Sequence, residues 1–169
     1  VGEPVESLTN KLTDIVSREV KQFELFLKLL IDQQNYLVAN DLENLNRVIK
    51  EQETAILVTR ELEKNRMRVI AELSEQIDDD PNNMTLSRVT KSLAQPQALK
   101  LEKMQRALTD LHAKINKVKS KNEFLIKKSM EYIEGTVRLL ASGNNEIPTY
   151  GDGNSREQKS PSIAVNRTA

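Results

Sequence analysis

The chain has 169 residues, 25 Lys and Arg against 25 Asp and Glu, no Cys, no Trp and one His. These counts exclude a disulfide framework, a thiolate zinc site, a cysteine nucleophile and any metal centre that needs two histidines from one chain. Zero net charge argues against a bulk nucleic-acid binder. No run reaches the ~18–20 apolar residues that span a bilayer, and no secretory apolar segment is present near residue 1, so the expectation is a cytoplasmic protein without membrane insertion. Val1-Gly2-Glu3-Pro4 in place of an initiating Met suggests trimming or a few foreign residues at this end.

From residue 5 to 80 there is neither Gly nor Pro, and Leu, Lys, Glu, Gln and Arg dominate, which favours helix. Leu8, Leu12, Ile15/Val16, Val20, Phe23, Leu27, Leu30 and Leu37 recur every three or four residues and predict a first helix over about 6–38. Asn40, with Glu43 three residues on, reads as the N-cap of a second helix. That helix carries Leu42, Leu45, Ile49, Ile56, Leu62, Ile70, Leu73 and Ile77 and stops before Asp78-Asp79-Asp80-Pro81. Thr85 caps a short third helix, and Pro96 suits the first turn of the last. Leu101, Met104, Leu108, Leu111, Ile115, Val118, Asn122, Leu125, Ser129, Tyr132, Thr136 and Leu139 then alternate steps of three and four, a heptad seam. The reading is an all-α antiparallel bundle of long helices with coiled-coil character over 1–142 and a flexible tail over 143–169.

Lengths add a constraint. At 1.5 Å per residue the three long helices measure roughly 50, 55 and 68 Å. A two-residue connection makes the first two antiparallel, so the last runs beside the first and outreaches it by about 10–15 Å. That end holds Phe124, Leu125, Ile126, Tyr132, Ile133, Val137, Leu139 and Leu140, and an uncovered apolar helix end calls for a partner.

Candidate chemistry is sparse. His112 on the last helix could be a phosphotransfer histidine, but Ile115 and Asn116 stand where a small residue would let a receiver approach; a surface histidine is the simpler reading. Asp78, Asp79 and Asp80 lack further ligands at calcium-loop spacing. Glu63 and Arg66 can pair along one helix, worth a few tenths of a kcal/mol if exposed. Charge is unevenly spread: residues 1–58 hold 6 basic and 10 acidic side chains, residues 100–128 hold 9 and 3. Lys114, Lys117, Lys121 and Lys128 lie near one face, either as a strip for an acidic partner or paired with the first helix and solvent. Asn122, Ser129 and Thr136 either set register inside the seam or mark where it leaves the core. Tyr150, in Pro148-Thr149-Tyr150-Gly151-Asp152-Gly153, is a linker aromatic or a binding anchor. No catalytic residue, metal ligand or cofactor site is expected.

The order of these features resembles the FlgN family of flagellar type III export chaperones. The resemblance covers about residues 8–153. It lies in Leu37-Val38-Ala39-Asn40-Asp41-Leu42-Glu43-Asn44-Leu45, in Glu53 followed by Leu62-Glu63-x-x-Arg66, in Asn122-x-x-Leu125, and above all in Thr149-Tyr150-Gly151-Asp152-Gly153. It implies a non-enzymatic protein that binds hook–filament junction proteins of the FlgK/FlgL type, prevents their early assembly and delivers them to the export gate protein FlhA. The C-terminal part would bind cargo and Tyr150 would dock on the gate; the uncovered apolar helix end supplies Leu125, Tyr132, Ile133, Val137 and Leu140 as the expected cargo contacts. The competing reading is a structural coiled-coil adaptor with no export role, and the sequence leaves a homodimer open.

Overall fold

The computed structural model describes residues 4–77, 85–93 and 95–143. Its described residues form four helices and no strand: α1 (Val5–Ala39), α2 (Leu42–Ile77), α3 (Leu86–Ser92) and α4 (Gln95–Gly143). None of these helices is long and apolar enough to cross a membrane. The acidic run Asp78–Asp80 and the tail beyond Gly143 lie outside the described residues. The chain divides into two compact units, one ending at Glu131 and one beginning at Tyr132, and each is described by itself.

The first unit is organised by the reversal between α1 and α2. Asn40 closes α1 in the left-handed region, φ 54° and ψ 35°. The Asp41 N–H donates back to the Tyr36 carbonyl at 3.0 Å, a Schellman-type closure that satisfies carbonyls left over at the helix end. Asn tolerates this conformation better than a β-branched residue does. The N-cap of α2 is therefore Asp41 and not Asn40 as the sequence suggested: Asp41 Oδ1 accepts from the Asn44 N–H at 3.1 Å. Both residue types cap helices well, and only the backbone conformation separates their roles. At α3 the expected cap is present, with Thr85 Oγ1 accepting from the Arg88 N–H at 3.3 Å.

Two apolar clusters fill the first unit. Leu8, Leu12 and Val16 of α1 pack with Val69, Ile70 and Leu73 of α2, Leu86 and Val89 of α3 and Leu101 of α4. Leu29, Val48 and Ala55, flanked by Phe26, Tyr36 and Leu45, form a second cluster from α1 and α2 alone. In the first half of α2 the seam is rotated from the expected one, with Val48, Gln52 and Ala55 buried and Leu42 and Ile56 exposed, whereas Leu62, Ile70 and Leu73 are buried as expected. Neighbouring apolar pairs such as Val48/Ile49 and Ala55/Ile56 leave the face undecided until the partner helix selects one of each. In the second unit, α4 continues to Gly143 with every side chain from Tyr132 to Ser142 exposed.

The reversal can be tested. Asn40→Val should cost about 1–2 kcal/mol from the left-handed backbone, and Asn40→Gly should cost nothing, read from urea unfolding. The hydrogen bonds from Asn44, side chain first, hold the Asp41 carboxyl below its ordinary value. Its stabilising effect is thus present above the ordinary carboxylate pKa and lost as pH falls through the lowered one. Asp41→Asn should flatten that part of the acid limb in melting temperatures measured against pH.

Candidate functional site

Between and within the apolar clusters run two polar layers. In the first, Glu19 of α1 is buried, 4% exposed, and its Oε1 accepts from Arg66 Nε of α2 at 2.9 Å. Glu63 lies farther off, 3.9 Å from Arg66 Nη2. The sequence paired Arg66 with Glu63 and placed Val20 on the α1 seam; the structure seats Glu19 there, with Val20 half-buried. A carboxylate at a core position is legible only with its cation, which lies 47 residues away in the chain. Burial pushes the Glu19 carboxyl up, and the Arg66 charge and hydrogen bond oppose this.

The pair lines a groove of about 690 Å³ between α1, α2 and α4, together with Phe23, Thr59, Leu108 and His112. His112 is exposed, its ring edge-on to Phe23 with centroids 6.2 Å apart.

In the second layer Gln52 Nε2 donates to the Leu29 carbonyl at 3.2 Å and to Gln33 Oε1 at 3.3 Å. Asn122 of α4 donates to the Leu30 carbonyl at 2.8 Å and to the same Gln33 Oε1 at 2.9 Å. Gln33 thus bridges α2 and α4. Asn122 Oδ1 is buried with no hydrogen-bond partner, a destabilising feature in its own right. Of the three polar seam residues, Asn122 is inside, at 3% exposure, while Ser129 and Thr136 are exposed. Both sequence readings therefore apply, to different residues: Asn122 joins helices, and beyond it the seam leaves the core.

Of the residues expected to contact a partner, Leu125 is half-buried in the first unit. In the second unit Tyr132, Ile133, Val137 and Leu140 are 76%, 60%, 58% and 72% exposed. Ile133, Val137 and Leu140, at i, i+4 and i+7, share one helix face. Tyr150 lies outside the described residues. Among the described residues no group of three or more His, Cys, Asp or Glu side chains is placed to hold a metal ion.

The family model described as FlgN protein matches residues 8–158. The chain belongs to the FlgN family. The membership carries the general role of a flagellar export chaperone, and the FlgN match takes in every described helix except the first residues of α1. No curated protein and no solved structure matches the chain.

The polar layers of this FlgN-family bundle give two expectations. Below the ordinary glutamate pKa the Glu19 contribution to stability is fully present, and it is lost as pH rises through the raised value. Glu19→Gln should remove that pH dependence, and Arg66→Met should cost about 2–3 kcal/mol at neutral pH, partly recovered on acidification. Asn122→Asp should destabilise more than Asn122→Leu, because the acid sets acceptors against the Leu30 carbonyl and Gln33 Oε1; thermal melts of the two variants rank them.

Proposed function

We propose that this protein is the cytoplasmic export chaperone for hook–filament junction proteins of the FlgK/FlgL type, keeping them from assembling early and delivering them to the export gate protein FlhA. The observation that carries the reading is the apolar surface of the second unit. Tyr132, Ile133, Val137, Leu139 and Leu140 are all more than half exposed within twelve described residues of a chain that is 30% charged. Large apolar side chains in water favour a partner, because burying each supplies about 1.5–3 kcal/mol before the costs of association. A cargo segment that forms an amphipathic helix can lay its apolar face against Ile133, Val137 and Leu140. Bound in this way, the cargo has its own assembly surface covered. Leu125, in the first unit, is proposed as a further cargo contact, and Tyr150 as the residue that docks on FlhA. This assignment makes the protein a binding protein and gives no residue a catalytic role.

Ile133→Ser with Leu140→Ser should lower cargo affinity at least about tenfold in titration calorimetry while melting temperature stays unchanged. Leu125→Ser is measured separately, since its half-buried side chain has a packing role as well. Tyr150→Ala should leave cargo affinity and melting temperature unchanged and weaken binding to FlhA by about 1–3 kcal/mol. Unchanged cargo affinity in the double variant removes the proposed site, and a fall in sedimenting mass instead assigns that face to a second copy. An adaptor with no export role tolerates loss of residues 144–169 in an export assay; the chaperone does not.

A further inference from the structure

One exposed face of α4 in the first unit carries a row of cations that the chaperone reading leaves without a task. Lys103, Arg106, Lys114, Lys117 and Lys121 are all exposed. Successive steps of three and four, with Asp110 between Arg106 and Lys114, keep them within a narrow strip of the helix surface. The strip lies about a third of a turn from the buried line of Leu101, Leu111, Ile115 and Asn122. Among the described residues none of the five forms an ion pair within 4.0 Å, whereas Lys119 and Lys128 pair with Glu123 and Glu131. The chain as a whole is neutral, so the row is an arrangement and not a surplus of base. Its five positive charges face one carboxylate.

We infer that this row is a docking rail for an acidic helix of a partner protein. The row is one residue wide and runs about 27 Å from Lys103 to Lys121. A partner must therefore present carboxylates along a line at the same pitch, which a helix with Glu or Asp every three or four residues does. Ala113 and Ser120 beside the row are small and exposed, so a second helix can approach closely. A bilayer offers a plane of charge, which a row one residue wide does not match. The row is bounded by Leu99, 52% exposed, and Phe124, 59% exposed. These two lie about 37 Å apart along the helix and give a partner of about seven turns an apolar contact at each end. The row belongs to the first unit and Ile133, Val137 and Leu140 to the second, and the inference does not depend on the identity of the cargo.

The experiment uses the full chain and fluorescence anisotropy. The probe is a designed helical peptide of about 28 residues with glutamates in one row at three–four spacing and Leu at both ends. A second peptide of equal composition has its glutamates scattered round the helix. Vesicles containing phosphatidylserine and a DNA duplex complete the set. The row peptide should bind at least about tenfold more tightly than the scattered one, and salt should weaken it. Lys114→Glu with Lys117→Glu and Lys121→Glu should abolish that preference. Lys50→Glu with Arg60→Glu and Lys64→Glu on α2, an equal change of charge, should retain it. Circular dichroism checks helicity, and the corresponding Gln triple replaces the Glu triple if reversal unfolds the chain. Equal binding of the two peptides, no binding of either, equal losses in both triple variants, or tighter binding to vesicles or duplex than to the row peptide overturns the inference.

Discussion

Asn40 and Asp41 turn a helix of 35 residues back along one of 36, and that reversal sets which residues of α1 and α2 face each other. Two pairs far from the turn record the result. Glu19 meets Arg66, and Gln33 meets Gln52. Going 14 residues forward along α1 goes 14 back along α2, so the register holds over two heptads, about 21 Å. A change in the turn of one residue would shift both pairs at once and rotate apolar and polar positions out of alignment. The carboxylate cap of Asp41 and the left-handed Asn40 are local features with consequences along the length of the hairpin.

Given that register, the polar layers have a role the apolar clusters cannot perform. Leucines and valines pack against many neighbours with similar energy, whereas Glu19 has one cation within reach and Gln33 accepts from two particular amides. Buried pairs of this kind add little net stability, since desolvation offsets attraction. They do penalise alternative registers, in which a buried carboxylate or amide loses its partner. Gln33 of α1 accepts from both Gln52 of α2 and Asn122 of α4. The groove at the Glu19 layer follows from the same feature, because side chains that pair across it cannot also fill it.

The helices were legible in the sequence because residues 5–80 hold neither Gly nor Pro and residues 97–142 hold only Gly135, and Thr85 marks a start by its side-chain chemistry. The all-α bundle followed from the same features, whereas the family was read from short motifs, above all Thr149-Tyr150-Gly151-Asp152-Gly153. The faces were less legible. Val48 and Ile49 are both apolar, as are Ala55 and Ile56, and only the first of each pair is buried, so spacing alone permits two seams about 100° apart. Glu19 was invisible as a core residue because its justification lies on another helix. Asn40 was assigned to the wrong side of the turn because Asn serves both as an N-cap and in left-handed closures. The exposed character of Ile133, Val137 and Leu140 was read from helix lengths, and the structure finds those side chains exposed.

The two apolar clusters differ in the stretch of chain they require. The cluster of Leu29, Val48 and Ala55 is complete within α1 and α2. The other includes Leu101, and Asn122 bonds to Leu30 across 92 residues. Short-range contacts close small loops and form early, while contacts of high sequence separation carry a larger closure entropy. On a ribosome, which releases the N-terminal segment first, the turn and its local cluster can assemble while most of α4 is still unsynthesised. Leu8, Leu12 and Val16 then stay partly uncovered until Leu101 arrives. The nascent hairpin therefore has one apolar cluster complete and one open, with Leu30 and Gln33 still awaiting Asn122, and the interval is set by translation of α4.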